Sequence, residues 1–296
     1  MNERKKTISL VLGSGGGRGH AHIGVIRALE ERDLAIVNIA GTSMGAVIGG
    51  IYAAGGLDTY TEWAYELDKS DVMKLLDFSF TWTSIFKGER IIEVLKEVVG
   101  DRQIEDLDKG YTAVATDIEE QREVWLNSGS LFSAIRASTA VPGVFAPVEL
   151  DGRTLVDGGL VNPIPIAPTL NDSTDFTIAV NLSGSEHVHG HAMENESTRP
   201  TPESDGNYRE KISQFVNNLL ESEDSEKAAP DAADLLVRSI DVMQGAIARL
   251  KLAAYEPDLV IKIPRNACTF FEFNRAEEMA DLGYERTRKA LDDMGL

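Results

Sequence analysis

Over the first hundred residues, apolar runs of strand length alternate with stretches of helical periodicity, and that alternation leaves few architectures open. Residues 8–12 read as a strand, 23–31 as a helix, 35–40 as a strand and 44–54 as a helix. Strands separated by helical crossovers pair in parallel and are covered on both faces, so the pattern predicts an α/β fold on a parallel sheet. Further strands are expected at 111–118, 123–126, 153–156, 176–182 and 259–263, which spreads the sheet over most of the chain.

With 296 residues, 43% of them hydrophobic, the chain can bury a sizeable core, and a single domain over 1–296 is expected. Residues 183–207, SGSEHVHGHAMENESTRPTPESDGN, lose periodicity and gain Gly, Ser, Pro and acidic residues, as mobile loops do; they read as an insertion within the C-terminal part, 169–296. Beyond them Leu235, Leu236, Ile240, Met243, Ile247, Leu250 and Ala254 recur at helical spacing and predict a helix packed on the sheet. The 29 basic and 48 acidic residues leave a net charge of −19, which repels phosphate backbones and gives no attraction to an anionic lipid surface. Nucleic acid is thereby excluded as an expected partner. The lone Cys268 forms no intrachain disulfide. The start of the chain is too poor in apolar residues for a signal peptide, and no apolar run reaches the roughly 18 to 20 residues of a membrane span. A soluble, cytoplasmic protein is expected, with any contact at the inner membrane peripheral.

Ser43 stands at the junction of the second strand and second helix, within Gly41-Thr42-Ser43-Met44-Gly45. This fits G-x-S-x-G, in which a sharp strand-to-helix turn lifts a nucleophilic serine out of the sheet and the following helix directs its amides at the hydroxyl. The same residues also fit a serine that N-caps a helix. Directly after the first strand, GSGGGRG (13–19) exposes consecutive backbone N–H groups suited to an anion. Neither G-x-G-x-x-G nor the Walker spacing is satisfied, which leaves the oxyanion of an acyl-transfer intermediate as the ligand. Arg18 adds charge there or lies on the surface.

A serine nucleophile needs a base. His20 and His22 read as helix-start residues, while His187, His189 and His191 fall in the loop-like segment without metal-ligand spacing. In DGRTLVDGGLVNPIP, Asp151-Gly152 reads as a hairpin turn, 153–156 as a strand and Asp157 as the carboxylate leaving it. Asp157 suits proton acceptance, or serves as a turn acid bonded to its own backbone. Phe78, Phe80, Trp82 and Phe86 suit an acyl channel, a membrane contact or a core.

The blocks GSGGGRG, GTSMG, IRASTAVPGVFAPV and VDGGLVNPIP, in this order, resemble the patatin-like phospholipases, especially the bacterial single-domain branch related to the catalytic domain of neuropathy target esterase. The match is firm over about residues 8–168. This resemblance implies a three-layer α/β/α sandwich and hydrolysis of lipid acyl esters, of the phospholipase or lysophospholipase type, without cofactor or metal. It implies a Ser/Asp dyad of Ser43 and Asp157, elbow glycines Gly41 and Gly45, and an oxyanion hole from Gly15, Gly16 and Gly17 with Arg18 adjacent. Two rivals remain: a Ser-His-Asp hydrolase in which Asp157 orients a loop histidine, and a noncatalytic binding or regulatory protein on the same fold.

Overall fold

The computed structural model describes residues 4–75, 78–81, 84–86, 88–184 and 232–296. Met1–Val188 with Leu236–Leu296 form one compact unit and His189–Leu235 a second; the sheet and the candidate site belong to the first. The chain begins β1 (Thr7–Leu12), α1 (Ala21–Glu31), β2 (Ala35–Thr42), α2 (Met44–Ala53), α3 (Leu57–Glu66) and α4 (Lys69–Leu75). It continues through β3 (Phe78–Thr81), β4 (Ser84–Phe86), α5 (Glu89–Val99), β5 (Gly110–Asp117), β6 (Arg122–Leu126) and α6 (Leu131–Ser138). Then come β7 (Gly143–Phe145), β8 (Val148–Leu150), β9 (Arg153–Asp157), β10 (Phe176–Gly184), the helix Ala232–Tyr255, β11 (Leu259–Pro264) and the C-terminal helix Ala276–Met294.

The main sheet has the order β11-β10-β1-β2-β5-β9-β8, with β6 also paired to β5. Its first five strands are mutually parallel, and β6, β8 and β9 form an antiparallel end. Strand alternation sorts the core into two faces. Ile8, Leu10 and Leu12 of β1, with Ile178, Val180 and Leu182 of β10, pack among residues of α1, α2, α6 and the C-terminal helix. Val11 and Ala179 point the other way and meet Ala248 of the 232–255 helix. The result is the expected three-layer α/β/α arrangement. The antiparallel end arises because Asp151 and Gly152, both at positive φ, close a tight hairpin between β8 and β9.

One register feature positions the candidate site. β6 occupies one edge of β5 along Ala113–Asp117, so β2 and β9 share the other edge end to end. Thr42, the last residue of β2, pairs with Val114, and Asp157, the last residue of β9, pairs with Ala115. The two strands therefore run toward each other and stop at consecutive ladder positions.

Two expectations need correction. β10 extends through Gly184, paired with Pro264 of β11, so the loop expected from residue 183 does not begin there; 185–207, with its three histidines, lies outside the described residues. The 232–255 helix is present, but its inner face is Val237, Ile240, Gln244 and Ala248, whereas Leu236, Met243 and Leu250 are 42%, 52% and 72% exposed. Of the expected stripe Ile240 is buried, but hydrophobic periodicity missed the rest of the inner face because it carries Gln244 and borders Asp241, two polar residues that bond to the glycine loop. Of the aromatic run, Phe86 is buried with Val141, Val144, Val237 and Ile240 and acts as core. Trp82 and the side chains of Phe78 and Phe80 lie outside the described residues.

α1 and the C-terminal helix approach backbone to backbone. A Cβ on Gly24 would lie 1.8 Å from the Ala280 carbonyl oxygen, and one on Gly283 would lie 2.0 Å from that of Ala21. Gly24→Ala gains up to about 1 kcal/mol in helix propensity, yet the backbone contact forces the helices apart. A net loss of about 1–3 kcal/mol is expected from urea denaturation; a stabilised variant would contradict this packing.

Candidate active site

Ser43 joins β2 to α2 with φ +55° and ψ −123°, a conformation that a side-chain-bearing residue holds only under strain. The turn is this tight because the neighbouring backbone leaves no room for side chains: a Cβ on Gly45 would lie 2.1 Å from the Leu12 carbonyl oxygen, and one on Gly41 would lie 2.4 Å from that of Gly45. Ser43 occupies the N-cap position of α2, but its hydroxyl makes no capping hydrogen bond. It is left available.

The backbone of the elbow is held by a residue to which the sequence assigned no role. The Ser43 N–H donates to Ser138 Oγ at 2.9 Å, and the Ser138 hydroxyl donates onward to the Val114 carbonyl at 2.6 Å. Two residues further, the Ala140 carbonyl accepts the Asp157 N–H at 2.9 Å. The block IRASTAVPG thus braces both strand ends. A serine at the C-terminus of an apolar helix, just before a proline-containing turn, was the available signal, but nothing local marks its partner.

Asp157 is 1% exposed. Its Oδ1 accepts the Gly159 N–H at 2.7 Å, so the turn-acid reading describes one oxygen correctly. Oδ2 is buried without a partner at full hydrogen-bond geometry. Burial raises the carboxyl from 3.8 to about 6, against the opposing pull of the Ser43 hydroxyl and the Gly159 N–H. The Ser43 hydroxyl thus lies near enough to favour the carboxylate without closing a well-formed bond, as is common for acid–base partners before substrate binds.

The glycine loop turns into a short 3₁₀ helix, Gly16–His20, beside the elbow. The Gly13 N–H donates to Val180 and the Ser14 N–H to Pro163. Gly17 was expected to present its amide with Gly15 and Gly16, but its N–H donates to the Phe270 carbonyl at 2.9 Å. The N–H groups of Gly15 and Gly16 have no partner among the described residues. Arg18 is a buried brace, at 3% exposure, and the surface alternative is corrected: its guanidinium donates to the carbonyls of Gly15 (3.2 Å) and Arg265 (2.7 Å) and pairs with Asp241. With its charge paired, its contribution is to the shape of the loop. His20 and His22 are buried, and burial lowers both to about 4, so both are neutral at physiological pH.

Gly16 and Ser43 stand in the wall of a cavity of about 920 Å³ including its open mouth, whose lining includes Val47, Trp63, Ile92, Leu95, Ile135 and Phe145. Among the described residues, no His, Cys, Asp and Glu side chains cluster as metal ligands. No described helix is long and apolar enough to cross a membrane.

A strained serine on a strand-to-helix elbow, a buried carboxyl at the end of the abutting strand and a glycine loop with two amides unpartnered among the described residues lie together on an α/β/α sandwich. Residues 10–170 match the family model of patatin-like phospholipases. The chain is 40% identical over 330 residues to an uncharacterized NTE family protein of Mycobacterium tuberculosis, covering 96% of this chain and 91% of that one. It is 33% identical over 186 residues to neuropathy target esterase sws of Drosophila melanogaster, covering 61% of this chain and 13% of that longer protein. The crystal structure of VipD from Legionella pneumophila aligns over 98% of this chain and 67% of its own, at 15% identity and a TM-score of 0.48. This protein belongs to the patatin-like phospholipase family.

The raised Asp157 pKa links stability to pH. The folded state holds the carboxyl proton more tightly than the unfolded one, so this group's contribution is most favourable below about 4 and is lost as pH rises through about 6. At neutral pH a buried carboxylate destabilises the fold by up to about 3 kcal/mol. Asp157→Asn is therefore expected to be the more stable protein at neutral pH and to lose that advantage below about 4. Urea midpoints measured across this range check it; an asparagine variant less stable at neutral pH would refute the buried charge.

Proposed function

We propose that this protein is a serine acyl hydrolase acting on lipid acyl esters of the phospholipase or lysophospholipase type, with Ser43 as nucleophile and Asp157 as base. The observation that carries this reading is the meeting of two strand ends on β5: Thr42, the residue before Ser43, pairs with Val114, and Asp157 pairs with the next residue, Ala115. It sets a hydroxyl with no capping bond against a buried carboxyl whose pKa, about 6, suits a general base near neutrality. Asp157 takes the hydroxyl proton as Ser43 attacks the ester carbonyl. The N–H groups of Gly15 and Gly16 stabilise the oxyanion, and protonated Asp157 then returns the proton to the departing alcohol. Water, deprotonated by the same carboxylate, attacks the acyl-enzyme, and Asp157 returns that proton to Ser43 Oγ as the acid leaves. The apolar cavity beside Ser43 accommodates the acyl chain. Peripheral contact with a lipid surface would depend on apolar side chains, since the net charge is −19.

The dyad makes the base and the pH limb the same group. Hydrolysis is expected to rise with pH through about 6 as Asp157 ionises, opposite in sign to its effect on stability. Ser43→Ala is expected to abolish both hydrolysis of an acyl-ester panel and labelling by a fluorophosphonate. Asp157→Asn should lower turnover by about 10³-fold or more. Replacing His187, His189 and His191 together by Ala should leave most activity; its collapse would instead identify a Ser-His-Asp enzyme.

A further inference from the structure

Three alternate carbonyls of the glycine loop each accept a hydrogen bond from a buried nitrogen. Gly13 accepts from His22 Nε2 at 2.8 Å, Gly15 from Arg18 Nε at 3.2 Å and Gly17 from His20 Nδ1 at 3.2 Å. The donors are 0%, 3% and 1% exposed, in that order. A peptide unit is planar and trans, so fixing the carbonyl of one residue aims the N–H of the next in the opposite direction. Arg18 thereby orients the Gly16 amide. His22 holds the peptide joining Gly13 to Ser14, whose N–H is held by the Pro163 carbonyl, and His20 holds the peptide joining Gly17 to Arg18. The two histidines clamp the loop on either side of the two unpartnered amides.

Each imidazole has one tautomer compatible with this role. His22 carries its proton on Nε2, which leaves Nδ1 buried with no partner. His20 carries its proton on Nδ1, and its Nε2 accepts from the Tyr60 hydroxyl at 3.1 Å. An orphaned buried nitrogen is destabilising, and an apolar residue at position 22 would avoid it. Both histidines read from the sequence as helix-start residues, yet neither makes a capping bond.

We propose that His22 and His20 are positioning residues for the hydrolysis, which clamp the Gly13 and Gly17 carbonyls so that the Gly15 and Gly16 amides stay aimed at the developing oxyanion. This rests on the serine hydrolase reading. Both act as fixed neutral donors and neither exchanges a proton with substrate.

The test begins with the geometry, independent of activity. Nitrogen-15 imidazole spectra of the full-length protein at neutral pH are expected to show His22 as the Nε2–H tautomer and His20 as the Nδ1–H tautomer; the reverse tautomer at either ring overturns its clamp. In kinetics on an acyl ester, His22→Leu is expected to lower kcat on the order of 10²-fold, with KM changed by less than about threefold. His22→Gln, whose side-chain amide presents an N–H near the Nε2 position, should recover most of the loss. A chain-bearing trifluoromethyl ketone, which forms an oxyanion on the serine, should lose affinity in His22→Gln and His22→Leu in step with kcat, while the matching alcohol should not. Unchanged kcat in a folded His22→Leu, or equal losses for ketone and alcohol, would overturn the proposal; if the leucine variant does not fold, the glutamine variant and the tautomers decide. A wild-type protein that neither hydrolyses any ester nor labels at Ser43 would overturn the hydrolase reading and the positioning role with it, even where the tautomers are as expected.

Discussion

The arrangement of the site depends on one edge of β5, which pairs with β2 along its first half and with β9 along its second. Strand ends are ordinarily free to splay, because the ladder stops and no hydrogen bond fixes the next residue. Here each end abuts the other on a common template, so the residue after β2 and the residue that ends β9 share one small volume. A displacement of either strand by one residue would turn the pairing face over and carry its end away from the other. The separation of Ser43 and Asp157 is thus controlled by sheet register and owes little to loop conformation.

Around that junction the polar groups are buried. Asp157, His20 and His22 are all buried, and burial moves each toward its neutral form, raising the carboxyl and lowering the imidazoles. The apolar wall of the cavity lies on one side and the 232–255 helix, near the glycine loop, on the other. That helix bonds to the loop through Asp241, which pairs with Arg18, and through Gln244, which accepts the Ser14 hydroxyl at 3.0 Å. Residues far apart in the chain, a first-strand loop and a late helix, are in this way parts of one support. Low local dielectric strengthens each of these bonds and penalises any that is lost.

Strain is concentrated at Ser43, and its support is equally specific. A residue at φ +55° with a Cβ persists only where its surroundings over-determine it. Ser138 takes the Ser43 N–H, and the amides of Ala46 and Val47, in the first turn of α2, bond to the Ser43 carbonyl. The Ser43 backbone is thus bonded at both its N–H and its carbonyl, while its hydroxyl makes no capping bond.

Local sequence determined the elements and the special residues. Apolar runs and helical periodicity placed β1, β2, β5, β6, β9, β10 and β11, because burial on one or two faces imposes a period that short segments already display. Gly41 and Gly45 marked the elbow, where a Cβ would collide with backbone, and Asp151-Gly152 the hairpin, whose positive φ few residues tolerate. The inner face of the 232–255 helix was read correctly only at Ile240, because Gln244 and Asp241 face inward for partners that lie more than two hundred residues earlier in the chain. The roles of Ser138, Arg18, His20 and His22 were hidden for another reason: their hydrogen bonds run largely to backbone groups and form no recognisable motif. Hydrogen bonds to backbone carry no side-chain signature at the acceptor, so no residue type announces them. Tertiary structure alone decided which loop amides are left unpartnered, which charges are buried and how two strand ends meet on β5, since each of these depends on register between segments that a linear pattern keeps apart.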